Sequence, residues 1–263
     1  MPIGIPFTKA SACGNDFLII DGAHAGDRRA ELTRQICERH DGVGADGVEW
    51  IYPADDADLR AVLVNADGSD AEISGNGTRC VAASHFRQTG KPTINIRTGA
   101  GVKTCKLIRH DHDRLEYEFE AGMGEPQPGD PFSIKLAFNS VTGIPVSMGN
   151  PHFVLFVDDF EPGWQAEAAE IGKHHDFKFG TNVELVRVKD RHTIEVRIFE
   201  RGVGETRSSG TGSSASAVAA IASKRADSPV TVIAPGGPQT VRWEGELFLT
   251  GPAKIVSSGE FFL

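Results

Sequence analysis

The chain has 263 residues, of which 40% are hydrophobic and 24% charged, and its formal net charge is −9 at pH 7. This length allows one large domain or two of about 130 residues each. The composition is typical of a globular protein, and no apolar run approaches the ~18 residues that would indicate a membrane-spanning helix. The negative charge argues against nucleic acid as the main partner, because phosphate binding requires clustered positive charge.

The N-terminus and the cysteines indicate the cell compartment. The stretch MPIGIPFTKA lacks the basic start, long apolar segment and cleavage site of a signal peptide, so we expect a cytoplasmic protein. The four cysteines have neither CxxC spacing nor the histidine spacing of a zinc site. We therefore expect no structural metal or disulfide framework, and at least three reduced thiols packed as small apolar groups, among Cys13, Cys37, Cys80 and Cys105.

In the first part of the chain, alternation of apolar and polar residues predicts strands, and two segments are typical of helices. One helix is expected at about 29–39, with Leu32 and Ile36 on one face, and a second at about 76–88. Strands are expected at about 17–20, 61–64, 93–97, 102–108 and 115–119. The segment HDHD at 110–113 separates two alternating runs, so it indicates a solvated hairpin tip rather than a metal site.

A cluster of prolines and glycines at 122–131, without periodicity, is the expected linker near the middle of the chain. After it, Phe132, Ile134, Leu136 and Phe138 alternate as in a half-buried strand. A third helix is expected at about 211–224. Further strands are expected at about 152–157, 183–188, 194–198, 230–234, 239–243 and 246–249. His174 and His175 are adjacent and would point apart on a regular element, so no metal is expected there.

Two Gly-rich turns of the same design begin the second and third helices. Aligning Ser74 with Ser209 places SGNGTRCVAA over SGTGSSASAV, a repeat that implies two similar half-molecules. A helix N-terminus carries unpaired N–H groups and about half a positive charge, and therefore favours anions. Two such turns facing each other could hold one carboxylate, and the two leading residues could then invert the carbon beside it.

Other functions of Gly-rich turns fit the sequence less well. One SGxG turn alone is typical of an ordinary helix start, but two in matching register are less easily explained that way. Neither turn has P-loop spacing, and the dinucleotide fingerprint is absent. A serine hydrolase, with Ser74 or Ser209 as nucleophile and His152 as base, remains an alternative, although the chain lacks a GxSxG elbow.

Seven stretches, in this order, resemble the diaminopimelate epimerase family over nearly the full length. They are GNDF (14–17), RHDGVGADG (39–47), NADGSDAEISGNGTRC (65–80), GNPH (149–152), GTNVELV (180–186), ERGVGETRSSGTGS (200–213) and TGPA (250–253). The resemblance implies an α+β fold of two pseudo-symmetric domains, each a curved mixed β-sheet or barrel around a central helix. It implies domains at 1–121, with 254–263 returning to it, and at 122–253, with the active site in the cleft between them.

The same resemblance implies cofactor-free, pyridoxal-independent epimerisation of LL-diaminopimelate to the meso form, on the route to lysine and peptidoglycan. It gives Ser74 and Ser209 the positions of the two catalytic bases, assisted by His152 and Glu200. It implies a small-molecule substrate and no metal. It is also compatible with a homodimer. The positions that match substrate-binding residues are Asn15, Asn65, Gly75, Asn76, Asn150, Asn182, Glu200, Arg201, Gly210 and Thr211. Arg201 offers a planar fork for a distal carboxylate, and Glu200 an acceptor for a distal ammonium.

The sequence departs from the family at the bases, where the family has cysteine and this chain has serine. A thiol titrates near ~8.5 and a hydroxyl near ~15.7, as water does, a difference of about 10 kcal/mol. A helix N-terminus supplies at most about 2 kcal/mol. Three explanations follow: serine passes its proton concertedly to His152 or Glu200, the site binds substrate with little turnover, or cysteines were changed to serine. A racemase of another polar amino acid is a further alternative.

Overall fold

The computed structural model describes residues 4–263, which divide into two compact units. The first unit contains residues up to Ala121 together with Gly251–Leu263, and the second contains Gly122–Thr250. The C-terminal segment of the first unit begins at Gly251. Within residues 4–263, no helix combines the length and apolar character that crossing a bilayer requires.

The first unit is a barrel of mixed strands around one helix. The pairings run β18–β1–β2–β3–β4–β6–β7–β8 and return to β18, so eight strands close on themselves. The helix α2 packs against the inner faces of these strands. The elements are β1 Gly4–Ala12, β2 Asn15–Asp21, α1 Arg29–Cys37, β3 Gly47–Tyr52, β4 Leu59–Asn65, β5 Asp70–Ala71, α2 Gly75–Thr89, β6 Thr93–Thr98, β7 Gly101–Asp111, β8 Glu116–Gly124 and β18 Glu246–Phe262.

The second unit has the same construction, with a curved mixed sheet around the helix α4. Pairings run β10–β11–β12–β13–β14–β16–β17–β18, with β9 on β11 and β15 on β14. Ala and Ser side chains dominate α4, and their small size lets strands approach the helix closely. The elements are β9 Gln127–Pro128, β10 Phe132–Lys135, β11 Ser140–Ser147, β12 Pro151–Phe156, α3 Trp164–Gly172, β13 Asn182–Asp190, β14 Thr193–Glu200, β15 Gly204–Thr206, α4 Gly210–Ala222, β16 Val230–Ala234 and β17 Gly237–Glu244.

The two units repeat one another at a constant offset of 135 positions, which is the separation of Ser74 and Ser209. Helix α1 maps onto α3 and α2 begins where α4 begins, while strands β2, β3 and β4 map onto β12, β13 and β14. The register repeats too, since the parallel pair Phe17↔Gly47 corresponds to His152↔Asn182. The predicted α+β fold, with a helix inside a curved sheet in each half, is confirmed.

Two sequence predictions need correction, and one helix was not predicted. The stretch 122–131 is not an unstructured linker, because Gly122–Gly124 belong to β8 and Gln127–Pro128 pair with β11. The alternation at 132–138 ends early: β10 stops at Lys135, and the ring of Phe138 is fully exposed. Helix α3 was missed, although its buried Trp164, Ala168 and Ile171 follow helical spacing.

Candidate functional site

The first serine turn is a well-formed helix N-cap. Ser74 has extended backbone, and its Oγ accepts from the amide of Gly77 at 3.1 Å. The carbonyl of Ser74 accepts the first helical bond, from the amide of Thr78 at 2.8 Å. The amides of Gly75 and Asn76 lie in the first turn of α2, where N–H groups have no partner within the helix. The turn can therefore bind an anion through its backbone.

The second serine turn repeats this geometry. Ser209 caps α4, its Oγ accepts from the amide of Gly212 at 3.3 Å, and its carbonyl accepts from the amide of Ser213 at 2.9 Å. Thr211 Oγ1 lies 3.5 Å from Ser209 Oγ, at the outer limit of a hydrogen bond. Ser209 is buried. Each predicted base thus holds its hydroxyl against the positive end of a central helix.

In the first unit, a chain of amides fixes the turn of Ser74. Asn76 donates through Nδ2 to Asn15 Oδ1 at 2.7 Å, and Asn15 donates through Nδ2 to Asp46 Oδ2 at 3.0 Å. The buried Arg79 donates to Asn76 Oδ1 at 2.5 Å and to the carbonyl of Pro252 at 3.2 Å. Asn15 and Asn76, both predicted to bind substrate, are therefore brought together and locked in orientation by Asp46 and Arg79.

Asn65 lies at the end of β4, opposite Gly47 on β3. Its Nδ2 donates to Ser69 Oγ at 3.0 Å, and its backbone amide donates to the carbonyl of Ser69 at 2.9 Å. These bonds close the turn between β4 and β5. The side chain of Asn65 thus has a structural role in this turn, beside its predicted role toward substrate.

In the second unit, His152 and Glu184 form a buried pair. His152 Nδ1 lies 2.7 Å from Glu184 Oε1, and both side chains are almost completely inaccessible to solvent. Burial raises the pKa of Glu184, and the neighbouring His152 opposes that rise. Nε2 of His152 lies 3.1 Å from Asn150 Oδ1, and Asn150 Nδ2 lies 3.5 Å from Thr211 Oγ1. Predicted residues His152, Asn150, Thr211 and Ser209 are thereby brought into one network.

Glu200 is the last residue of β14 in the same unit, and Arg201 follows it in a turn. Burial raises the pKa of Glu200, so its carboxyl holds a proton more tightly than an exposed one. The guanidinium of Arg201 is exposed and donates to the carbonyl of Phe179 at 2.8 Å. Asn182 accepts through Oδ1 from the Arg201 amide at 2.9 Å and donates through Nδ2 to the carbonyl of Pro151 at 2.9 Å. Both ends of the Asn182 side chain are thus bonded to the protein backbone.

Sequence reasoning missed two buried carboxyls, Glu49 and Glu184. The repeat could have identified them, because Glu49 and Glu184 are separated by 135 positions, the same offset that relates Ser74 to Ser209. A Cβ built on Gly212 would lie 2.9 Å from Glu184 Oε1, and one built on Gly77 would overlap Glu49 Oε1. Each carboxyl therefore touches the first turn of the central helix in its own unit.

All four cysteines are free thiols and buried, as expected. Burial raises the pKa of Cys80 above the range of a reactive thiol, and raises those of Cys37 and Cys105 to about 12. Cys80 is completely inaccessible on the core side of α2. It cannot stand in for the cysteine that the family has at the position of Ser74.

Two histidine-containing segments lie near the end of β7 and after α3. His110, at the end of β7, packs its ring 5.2 Å from that of Phe86, and the hairpin turns beyond Asp111. The expectation that His174 and His175 point apart is wrong, because they lie in a turn after α3, with ring centroids 4.2 Å apart. Together with Asp176 their ligand atoms lie within 4.8 Å of one another, on the protein surface.

Comparison with known proteins identifies the family. The model of the family "Diaminopimelate epimerase" matches residues 7–127 and 144–256. The chain belongs to the diaminopimelate epimerase family. The diaminopimelate epimerase of Agathobacter rectalis is 37% identical over 97% of this chain and 98% of its own length, and that of Bacteroides thetaiotaomicron is 36% identical over 99% of both.

Solved structures share the fold at much lower identity. A phenazine biosynthesis protein of the PhzF family from Bacillus anthracis superposes with a TM-score of 0.74, at 15% identity over 99% of this chain and 100% of its own. A hydroxyproline epimerase from Agrobacterium vitis, with trans-4-hydroxy-L-proline bound, gives a TM-score of 0.72, at 16% identity over 98% and 90%. The diaminopimelate epimerase family thus shares its fold with proteins of other activities.

Proposed function

We propose that this chain is an isomerase that inverts the α-carbon of LL-diaminopimelate to give meso-diaminopimelate, by a two-base proton transfer without a cofactor. The observation that carries the proposal is the pair of serine-capped helix turns at equivalent positions of the two units. Family membership, and relatives near 35% identity named diaminopimelate epimerase, support the substrate and its place in lysine and peptidoglycan biosynthesis.

In this proposal, the backbone amides of both turns bind the α-carboxylate, and Ser74 and Ser209 act on opposite faces of the α-carbon. One serine removes the proton while the other delivers one. The amides of Gly75, Asn76 and Gly210, in the first turns of α2 and α4, support the carboxylate site, because a helix N-terminus favours an anion. As the carbanion forms, charge develops on that carboxylate, and fixed N–H donors stabilise it most at that moment.

The other end of the substrate is bound by charged side chains of the second unit. The exposed Arg201 fork suits the distal carboxylate, and Glu200 the distal ammonium. The amides of Asn15, Asn65, Asn150 and Asn182 complete the predicted set. The proposal places the protein in the cytoplasm, is compatible with a homodimer, and includes no membrane or nucleic-acid partner. The charge of −9 supports the last point, because phosphate binding requires clustered positive charge.

The pair formed by His152 and Glu184 supports turnover by serine. A hydroxyl is a poor base unless a neighbour takes its proton in concert. In this proposal Ser209 passes its proton to His152 or Glu200. Glu184 holds Nδ1 of His152, and Asn150 and Thr211 lie between the imidazole and Ser209 in a hydrogen-bond network that orients these groups. The carboxylate fixes the orientation of the imidazole, which is the role of the third member in a serine triad. A binding protein without turnover is the second candidate, because serine replaces cysteine at both bases.

Solvent-deuterium exchange at the α-carbon tests the proposal. We expect LL- and meso-diaminopimelate to acquire α-deuterium in D₂O with the natural chain, and faster with the variant Ser74→Cys/Ser209→Cys. Exchange by the double variant alone would favour the binding protein, because the scaffold would then be competent and the hydroxyls not. Absence of exchange in both, with no binding of diaminopimelate, would refute the proposed substrate. Labelling of either serine by a fluorophosphonate probe would favour a hydrolase.

A further inference from the structure

Glu49 is a buried acid in the first unit with no assigned role. It lies on β3 and is 3% exposed, and its cross-strand neighbours are the apolar Ile19 and Leu63. Its Oε1 occupies the space beside Gly77 that a Cβ would need. The amide of Gly77 is the donor to Ser74 Oγ. The Glu49 carboxyl and the Ser74 hydroxyl therefore each lie beside Gly77, in the first turn of α2.

The second unit shows what a carboxyl does at this place. Glu184 is the equivalent of Glu49, and it lies beside Gly212, whose amide donates to Ser209 Oγ. Glu184 is paired with His152. The position equivalent to His152 in the first unit is held by Phe17, in the same register of the parallel strands. Glu49 therefore occupies the site of Glu184 without an imidazole beside it.

The surroundings of Glu49 determine its charge. The strands beside it present Ile19 and Leu63, and the ionisable group of α2 that interacts with it is the Cys80 thiol, itself neutral. Burial then acts alone and raises the pKa of Glu49 to about 8. A carboxyl in this environment carries a proton at neutral pH, whereas an exposed one does not.

We propose that Glu49 is the proton-holding partner of Ser74, and that it resupplies this serine with the proton that Ser74 delivers to the substrate α-carbon. The inference rests on the proposed function and deepens it. Glu49 acts through Ser74 as a positioning residue for the proton and does not touch the substrate.

The proton transfers balance. In the direction in which Ser74 is the donor, its O–H bond breaks as the C–H bond of the product forms, and the Glu49 O–H bond breaks as a new Ser74 O–H bond forms. Glu49 is left as a carboxylate. At the same time Ser209 takes the α-proton while its own hydroxyl proton passes to His152 or Glu200, so the second unit gains the one proton that Glu49 loses and none is gained or lost overall. In the reverse direction, Ser74 takes the α-proton while its own proton passes to the Glu49 carboxylate, so no free alkoxide forms.

The variant Glu49→Gln tests the transfer, because the amide matches the shape of a protonated carboxyl but cannot release a proton. We expect the rate of α-carbon inversion to fall about 100-fold or more, the effect of losing one acid–base group. In the direction in which Ser74 donates the proton, the inversion rate of the natural chain should decline as the pH rises through about 8. Glu49→Gln should not show this decline. The control is Glu72→Gln, an exposed residue of the same unit, which should keep the natural rate and pH profile.

A second measurement does not depend on turnover. With ¹³C-labelled glutamate, the Glu49 side-chain signal, identified by its absence in Glu49→Gln, should titrate near pH 8, and Ser74→Ala should shift that titration. An unchanged titration in Ser74→Ala, or Glu49→Gln turnover within about threefold of the natural chain with the same pH profile, would overturn the inference. If the natural chain exchanges no α-proton, the proposed function fails, and the titration alone decides whether Glu49 and Ser74 share a proton.

Discussion

Replacing Glu49 by Gln should stabilise the protein at high pH while leaving its stability at low pH nearly unchanged. Burial raises the pKa of Glu49 from its ordinary value of 4.5 to about 8. Below pH 4.5 the carboxyl is protonated in both the folded and the unfolded chain. Between these values the unfolded chain loses the proton and the folded chain keeps it, so the free energy of unfolding declines as pH rises.

The difference between the two pKa values sets the size of the effect. Each unit of pKa corresponds to 1.36 kcal/mol, so a rise from 4.5 to about 8 is worth about 5 kcal/mol as an upper limit. The whole of this cost is present above pH 8 and none of it below pH 4.5. The amide of Gln does not titrate, and it fills the same space between Ile19 and Leu63.

Urea unfolding of the natural chain, Glu49→Gln and the exposed control Glu72→Gln, from pH 4 to pH 9, measures the effect. The quantity to compare is the free energy of unfolding of Glu49→Gln minus that of the natural chain. This difference should grow from pH 4.5 to about 8 and then level off. The denaturant slopes of the two proteins should be equal. Glu72→Gln should show no such growth. A difference that is constant across this pH range would show that Glu49 has an ordinary pKa, and would refute the reasoning.

Three further predictions follow from the helix turns and the core. Gly77→Ala should destabilise the fold by about 1–3 kcal/mol in urea unfolding, because its Cβ would overlap the Glu49 carboxyl; a neutral result would contradict that contact. Ser209→Ala, which removes the cap of α4, should cost about 1 kcal/mol of the unfolding free energy even without substrate. The four thiols should resist Ellman's reagent at pH 8 until urea unfolds the chain, and rapid native labelling of Cys80 would show that its burial is wrong.

The fold was predictable where its signals are local. The SGxG turns identify two N-caps, and Ser74 and Ser209 both cap their helices as the spacing indicates. Strands such as β14 alternate clearly because one face packs on a central helix and the other is more exposed, whereas β3 and β13 are buried on both faces. Phe138 fits the same alternation but lies past the end of β10, because the pairing of β10 with β11 ends at Lys135 opposite Ser140. The alternation in a sequence predicts which residues share a face of a strand. The end of the strand is determined by its hydrogen bonds to the neighbouring strand.

The site was predictable only for residues whose side chains belong to recognisable stretches. Asn15, Asn150 and His152 lie in such stretches, and the structure explains their positions by bonds to Asp46, Thr211 and Glu184. Glu49 lies in a strand of apolar residues, where single-sequence reasoning gives a lone acid no role. Its meaning comes from a tertiary contact with Gly77, which is 28 positions later in the chain.

The repeat makes the difference between the halves chemically informative. Two-base inversion requires one base to hold a proton when the other can accept one, and identical halves would have identical proton affinities. At an offset of 135 positions, both units have the serine, the glycine beside it and the buried acid. The residue equivalent to His152, however, is Phe17. In one unit an imidazole opposes the rise in the carboxyl pKa, and in the other burial acts alone. The fold therefore supplies two equal helix ends, and a single side chain beside each acid gives the two serines unequal partners.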